Sequence, residues 1–169
     1  MLTSSSIHGL VREEGQSFWF LGSLMILKAS SETTKGVFSL IEQVAPAGFA
    51  PPLHVHHAED EVFNVLEGDI TFFVGAQTLY APAGTYVYLP RDIPHSFRVE
   101  GATAARLLQW TYPAGVEQFF VDLGVPTQEL ILPPPASPEM VQKAIQSLLE
   151  RAPTYHIEIV GPPPSADHH

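Results

Sequence analysis

Between Phe18 and Tyr112 the sequence consists of short apolar segments that Gly, Pro, Asn or Asp interrupts at short intervals. The segments are rich in Val, Ile, Phe, Tyr and Leu, a composition typical of β-strands. They predict strands at residues 18–29 (with a break near Gly22), 36–45, 61–67, 69–75, 77–80, 85–89, 95–100 and 104–111. Many short strands without intervening helices predict an all-β fold, either an antiparallel sandwich or a closed barrel. No internal repeat is visible, so a single barrel is favoured over a duplicated one.

After Tyr112 the composition changes and the sequence predicts helices. Residues 113–124 predict one short helix that ends at Gly124, because glycine commonly terminates helices. A second helix is predicted to begin after Ser137, which can cap an N-terminus, with Pro138 in its first turn. Its apolar residues recur at helical spacing and are expected to pack on the barrel; they are Met140, Val141, Ala144, Ile145, Leu148 and Leu149.

These features divide the chain into three predicted parts. Residues 1–125 would form the barrel together with its N-terminal strands. Residues 126–160 would form a C-terminal extension whose helix packs on the barrel and whose "YHIEIV" segment adds an edge strand. Residues 161–169, "GPPPSADHH", are expected to be a disordered tail, since the segment is terminal and polar or Pro-rich.

The charge balance limits the partners of the chain. Eight Lys and Arg residues against eighteen Asp and Glu residues give a formal net charge of −10 at pH 7. Such a surface repels phosphate backbones and anionic lipids, so neither nucleic acid nor a membrane is an expected partner. The N-terminal segment lacks the basic start and apolar core of a signal peptide, and the strongest apolar run is too short to cross a bilayer. A cytoplasmic location is therefore expected.

The stretch "HVHHAEDEVFNVLEG", residues 54–68, carries the chemistry. Residues two apart on a strand point to the same side, so His54 and His56 present two imidazoles together. Glu61 begins the next strand and can provide a carboxylate, and "YLPRDIPHSF" offers His95 as a further ligand. Three imidazoles and a carboxylate suit a divalent transition metal, and Fe, Mn, Ni, Co, Cu and Zn all remain possible on this composition.

The same residues resemble the motifs of the cupin superfamily. Five positions match the first cupin motif in residue type and spacing: Gly48, His54, His56, Glu61 and Gly68. Three positions match the second motif: Gly84, Pro90 and His95. Asp92 and Val99 stand where that motif has Gly and Asn, and Asp is among the residues that tolerate a left-handed backbone. The resemblance implies a single cupin β-barrel (a double-stranded β-helix or jelly roll) with short C-terminal helices.

The resemblance also implies roles for the site residues. His54, His56, Glu61 and His95 would be the metal ligands, and Glu61 would act on the substrate as catalytic base, as ligand, or as both in turn. Glu59 and Asp60 are interpreted as solvated turn residues, and His57 is expected to face away because its strand parity is opposite.

Several aromatic residues are candidates for a substrate pocket beside the metal. Phe63 shares strand parity with Glu61, and Phe97 shares it with His95. Tyr88 and Gln109 are further candidates. For any one of them plain barrel core is the alternative interpretation. Together they favour an apolar pocket for an aromatic or otherwise flat organic substrate.

Within the cupins, the chain resembles small single-domain quercetin 2,3-dioxygenase-like proteins. That resemblance implies an oxidoreductase that uses O2 to cleave the central ring of a flavonol or another phenolic, with release of carbon monoxide. Two alternatives stay open: another metal-dependent cupin enzyme such as an isomerase, and a non-catalytic cupin that binds a metal or small ligand. A homodimer is expected, because strands 18–29 would otherwise expose an apolar edge.

Overall fold

The computed structural model describes residues 7–165, which form short strands with three α-helices and one 3-10 turn among them. The strands are β1 (Gln16–Phe20), β2 (Ser23–Ala29), β3 (Ser39–Ala45), β4 (Leu53–His56), β5 (Asp60–Glu67), β6 (Asp69–Val74), β7 (Gln77–Pro82), β8 (Tyr86–Leu89), β9 (His95–Val99), β10 (Ala105–Tyr112), β11 (Val125–Pro126) and β12 (Ile157–Gly161). The helices are α1 (Ser31–Thr34), α2 (Glu117–Leu123) and α3 (Pro138–Arg151), and the 3-10 turn is Ala152–Tyr155. No helix in this described part is long and apolar enough to span a membrane.

The strands form two antiparallel sheets that face each other. One sheet has the order β11-β1-β2-β3-β10-β5-β8, and the other has the order β12-β4-β9-β6-β7. The side chains between them form a core that includes Phe63, Val65, Ile70, Phe72 and Leu107. The prediction of a single all-β barrel is therefore confirmed, and the predicted break near Gly22 separates β1 from β2.

A second apolar cluster is separate from the core between the sheets. It joins Phe18, Phe20 and Met25 of the N-terminal hairpin β1–β2 to Phe119 and Phe120 of α2. Helix α3 contributes Leu148, and strand β12 contributes Ile157 and the partly buried Ile159. We call the hairpin, α2, α3 and β12 the cap, because their side chains together form this cluster beside the core between the sheets.

Helix α3 begins as the sequence predicts but packs differently. Ser137 accepts a hydrogen bond from the backbone N of Met140 (3.3 Å), and Pro138 stands in the first turn. Of the predicted apolar stripe, however, Leu148 is buried whereas Met140, Val141, Ile145 and Leu149 are between 44% and 63% exposed. The prediction that the stripe packs on the barrel is wrong apart from Leu148. The apolar cluster of the cap includes Leu148 near the end of α3 and Ala152 of the following 3-10 turn, and the earlier turns of α3 stay exposed.

The end of the described chain also differs from the prediction of a disordered tail at residues 161–169. Gly161 is the last residue of β12, and the carbonyl of Pro162 accepts a hydrogen bond from the Leu53 backbone N (3.3 Å). The carbonyl of Ser165 accepts a hydrogen bond from the Arg98 guanidinium. Backbone and side-chain contacts therefore order residues 161–165, while residues 166–169 lie outside the described part.

The predicted apolar edge at residues 18–29 is partly covered. Strand β11 pairs with β1 through Phe18 opposite Pro126 and Trp19 opposite Val125. The other side of the hairpin continues into the sheet, since β2 pairs with β3. The edge argument for a homodimer is weakened by this pairing, and the dimer stays a prediction.

Two motif glycines allow a test of how tightly the barrel packs. Gly68 and Gly84 both have positive φ angles, +80° and +92°. A Cβ at Gly68 would lie 3.0 Å from the Cα of Ala105, whereas a Cβ at Gly84 would meet nothing within 4 Å. We expect Gly84→Ala to cost about 1–2 kcal/mol through the left-handed backbone alone. Gly68→Ala should cost more, because β10 must also move. Urea unfolding of both variants measures the difference, and equal losses would contradict the close contact.

Candidate metal centre

The candidate ligands come from both sheets. His54 and His56 lie two residues apart on β4 and share its inner side, while the intervening Val55 is buried on the other side. His95 lies directly opposite His54 across the β4–β9 pair. Glu61 comes from β5 in the facing sheet. Strand parity therefore gives the two-residue spacing, and the packing of sheet on sheet brings the carboxylate to the imidazoles.

The structure brings these four side chains together. One nitrogen or carboxylate oxygen from each of them lies within 4.8 Å of the others. The Nε2 atom of His95 is 2.7 Å from Glu61 Oε2, and the Nε2 atom of His56 is 3.5 Å from the same oxygen. His56, Glu61 and His95 are buried, and His54 is partly exposed. The arrangement is thus compact enough for a single ion to contact all four residues.

Backbone carbonyls orient two of the imidazoles. His54 Nδ1 lies 2.7 Å from the carbonyl oxygen of Pro52, and His95 Nδ1 lies 2.9 Å from that of Ile93. A carbonyl oxygen can only accept, so Nδ1 carries the proton in each ring. Each Nε2 then keeps its lone pair for the centre of the group, which is the tautomer that a metal ligand needs.

The electrostatics of the group favour a neutral His54 ring beside an ionised Glu61 carboxylate. Burial, together with the neighbouring His56 and His95, lowers the pKa of His54 to about 3, so this ring is neutral at pH 7. Burial acts to raise the pKa of Glu61, but His56 and His95 outweigh it and the pKa is lowered. Burial acts to lower the pKa of His95, but the Glu61 carboxylate outweighs this effect and the pKa is raised. Glu61 is therefore an anion held against nitrogen ligands.

Buried atoms without partners show that this group fits a metal ion. Within residues 7–165, four buried side-chain atoms have no hydrogen-bond partner: His56 Nδ1, Glu59 Oε2, Glu61 Oε2 and His95 Nε2. The last two lie 2.7 Å apart, but with the His95 proton on Nδ1 neither atom can donate to the other. Unpaired buried polar atoms are rare because they lose their hydration without compensation. A divalent cation at the centre would satisfy the Glu61 oxygen and the His95 nitrogen together. The three-nitrogen, one-oxygen donor set suits a transition metal and leaves its identity open.

The group opens into a small, largely apolar cavity of about 60 Å³. Three predicted pocket residues, Phe63, Phe97 and Gln109, line it. Gln109 Nε2 donates a hydrogen bond to Glu61 Oε1 at 2.6 Å, so its amide holds the carboxylate in place. Sequence reasoning missed the wall that the cap provides, which consists of Phe20, Leu21, Met25, Phe119, Phe120, Leu148, Ile157 and Ile159.

Tyr88, also predicted for the pocket, lies elsewhere. In the β5–β8 pair Glu61 is opposite Leu89 and Phe63 is opposite Val87. Val87 and Leu89 are buried on the inner face, and Tyr88 between them points outward with half of its surface exposed. The prediction for Tyr88 is therefore wrong, because it needed the register of β8 against β5, which the sequence does not show.

Glu59 is the second correction. The sequence suggested a solvated turn residue, but its surface is only 4% exposed and its Oε2 atom lies 3.6 Å from His56 Nδ1. The signal that could have found it is parity, since Glu59 stands two residues before Glu61. Asp60, between them, pairs with Arg91 near the surface (3.0 Å). His57, which follows the ligand His56 in the chain, faces away from the ligands, as expected, and contacts Asp92 and Glu158.

The turn before His95 keeps its shape despite Asp92. This residue has a φ of +64°, the left-handed conformation for which the second motif carries Gly. Its backbone N donates to the carbonyl of His56 (2.9 Å), which ties the turn to the ligand strand β4. Asp tolerates this conformation better than most residues, so the turn does not require Gly.

Fold and site together define a small two-sheet β-barrel with a buried three-His, one-Glu group. Residues 40–111 match the cupin domain family. An RmlC-like cupin from Shewanella frigidimarina superposes with a TM-score of 0.58 at 18% identity, covering 67% of this chain and 96% of that chain. A predicted oxalate decarboxylase from Thermotoga maritima gives 0.55 at 18% identity, covering 64% and 99%. Part of the chain thus matches the cupin domain family, and its fold is that of the cupin structures on which it superposes.

One relative of known activity is a quercetin 2,3-dioxygenase from Bacillus subtilis. It is 28% identical over 127 residues, which is 75% of this chain. The chain spans only 37% of the length of that relative. The similarity therefore relates this chain to one part of the longer protein, and it does not by itself assign the activity of that protein to this chain.

Proposed function

We propose that the chain is a metal-dependent cupin oxygenase, a quercetin 2,3-dioxygenase-like enzyme that cleaves a flavonol or another phenolic with O2. The observation that carries the proposal is the convergence of His54, His56, Glu61 and His95 at one end of an apolar cavity. The similarity to a quercetin 2,3-dioxygenase supports the choice of reaction. A divalent metal bound to these residues would supply Lewis-acid activation of a substrate hydroxyl and a meeting point for O2.

The side chains of this chain would prepare the substrate for that chemistry. Glu61 Oε1 accepts a hydrogen bond from the amide of Gln109, so Oε2 is the oxygen that would bind the metal or, when not bound to it, take the proton of a substrate hydroxyl. Phe63 and Phe97 would contact the flat face of an aromatic ring. Among residues 7–165 no Lys or Arg lines the cavity, so a phosphorylated substrate would lack the cationic partners it needs there.

The size of the cavity favours compact phenolics unless the cap moves. Ligand pockets for drug-sized molecules span roughly 300–1,000 Å³, and the cavity holds about 60 Å³. A flavonol would therefore have to displace cap side chains such as Phe120 and Leu148. A single-ring phenolic is the second candidate substrate, and the limited space is the observation that favours it.

The remaining alternatives are a different metal-dependent reaction, such as an isomerisation, and ligand binding without turnover. Each of these functions is compatible with the same metal centre, so oxygen consumption is the measurement that distinguishes an oxygenase from them. The homodimer and the cytoplasmic location expected from the sequence also stand as predictions.

Oxygen uptake tests the proposal directly. We would purify the chain anaerobically, measure its metals by elemental analysis, and reconstitute it with Fe, Mn, Co or Ni. Each form is then given quercetin or a single-ring catechol while O2 and carbon monoxide are recorded. Metal-dependent uptake with carbon monoxide from quercetin is the expected result, and His56→Ala is the control without a complete ligand set.

The other outcomes separate the alternatives. Uptake with catechol alone would keep the oxygenase and replace the flavonol by a smaller substrate. Stoichiometric metal without uptake of O2 would contradict the oxygenase and favour the binding protein or a redox-neutral enzyme. Absence of metal in every reconstitution would contradict the metal centre itself.

A further inference from the structure

Glu59 is a buried carboxylate that the proposed reaction does not use. Its side chain is 6% exposed, and its Oε2 atom has no hydrogen-bond partner within the described residues. The nearby Arg91 interacts with Glu59 through its charge, but its guanidinium pairs directly with Asp60 at 3.0 Å. A buried carboxylate oxygen without a hydrogen-bond donor is costly, so its position calls for a specific partner.

The partner that the geometry offers is His56. The Nδ1 atom of His56 lies 3.6 Å from Glu59 Oε2, and it too is buried without a hydrogen-bond partner. A shortening of about 0.7 Å would make one charge-assisted hydrogen bond of ordinary length and satisfy both atoms. Each of the other two histidines already has an oxygen on Nδ1, from Pro52 and from Ile93. Glu59 completes this pattern with a carboxylate instead of a carbonyl.

We propose that Glu59 is a positioning residue of the metal centre, which accepts a hydrogen bond from His56 Nδ1 and keeps His56 Nε2 directed at the metal. The inference rests on the proposed metal centre and extends it beyond the ligands. A carboxylate behind an imidazole fixes the tautomer and makes the ligating nitrogen more basic than a carbonyl does. His56 would accordingly be the strongest of the three nitrogen ligands, and the two carboxylates Glu59 and Glu61 would balance the charge of a divalent ion.

Binding of Co²⁺ tests this role without any assay of activity. We would strip the protein of metal and titrate Co²⁺ against a competing chelator in wild type, Glu59→Ala and Glu59→Gln. Removal of such an outer carboxylate weakens metal binding by about 10–100-fold, and we expect this loss in Glu59→Ala. Glu59→Gln should lose less, because its amide oxygen still accepts from Nδ1. The visible absorption of bound Co²⁺ should shift in both variants.

A matched control and a second measurement separate positioning from structural support. Glu158→Gln changes an exposed carboxylate that contacts His57 (2.8 Å) and should leave Co²⁺ affinity and absorption unchanged. The metal-free protein should unfold at the same temperature or higher in Glu59→Gln, because a neutral amide is easier to bury than an unpaired carboxylate. Weaker Co²⁺ binding with unchanged or raised metal-free stability supports the proposal.

Three results would overturn it. Equal Co²⁺ affinity in wild type and both Glu59 variants, with binding lost in His56→Ala, would remove the role of Glu59 and keep the metal centre. Weaker binding matched by a lower unfolding temperature of the metal-free variants would make Glu59 a structural residue. A wild-type protein that binds no Co²⁺ would overturn this inference together with the proposed function.

Discussion

Replacing His56 by alanine is expected to reduce metal affinity by more than about 100-fold, beyond the loss caused by removing an outer partner of a ligand. The Nε2 atom of His56 faces Glu61, so the variant loses one of the three imidazole ligands. Because His56 is only 1% exposed, bulk water does not readily replace that nitrogen as a ligand. The barrel should stay folded, because the apolar core between the sheets does not include His56. Elemental analysis after dialysis and a far-ultraviolet circular dichroism spectrum measure the two effects.

His57→Ala is the matched control for that experiment. It is the next residue of the chain, but its side chain is 44% exposed and contacts Asp92 and Glu158 outside the ligand group. We expect His57→Ala to bind metal as wild type does. Full metal retention in His56→Ala, or an equal loss in both variants, would show that the ligand assignment is wrong.

The second large effect is expected for Glu61→Gln, which keeps the shape of the side chain and removes its charge. Three imidazoles remain, so metal should be retained, while oxygen uptake should fall by about 10²–10⁴-fold through loss of a general base. The buried position of Glu61 and its fixed contact with Gln109 leave water little opportunity to replace that base. Metal content and oxygen uptake are measured on the same preparation.

Glu67→Gln, on the same strand, provides the comparison. Glu67 ends β5 at the surface and pairs with Arg106 at 2.6 Å, so its substitution should leave uptake unchanged. Unaltered uptake in Glu61→Gln would contradict the role of base. Loss of both the metal and oxygen uptake in Glu61→Gln would show that Glu61 acts mainly as a metal ligand. That result would contradict the expectation that the variant retains its metal.

The sequence predicts well whatever depends on strand parity. The side chains of a strand repeat every two residues, so the spacing of His54 and His56 predicts that both point to the same side of their strand. The same alternation predicts that Phe63 and Phe97 line the cavity, as they do. Glu59 stands one residue before β5, and extending the alternation of that strand by one residue would place it on the side of Glu61. A run of charged residues is usually a solvated turn, and this pattern conceals the alternation.

Register and distant packing were not accessible in this way. Tyr88 faces outward because Leu89, its neighbour, is the residue opposite Glu61, and such a pairing is fixed by the assembled sheet. The cap joins Phe20 to Phe119 and Phe120, which are about a hundred residues later in the chain. The stripe on α3 has helical spacing, but spacing alone does not show which of its residues becomes buried. In the structure that residue is Leu148.

The pairing of β4 has a consequence for how the protein is made. Strand β4 meets β9 at one residue pair, His54 with His95, but meets β12 along its length, with Ile157 opposite His56 and Ile159 opposite His54. Strand β12 follows β4 in the chain with seven other strands of the two sheets between them, so it is synthesised well after β4. Until it arrives, the strand that carries two of the ligands lacks its main neighbour. We therefore expect metal capture to follow the synthesis of β12, because only then is β4 held on both sides.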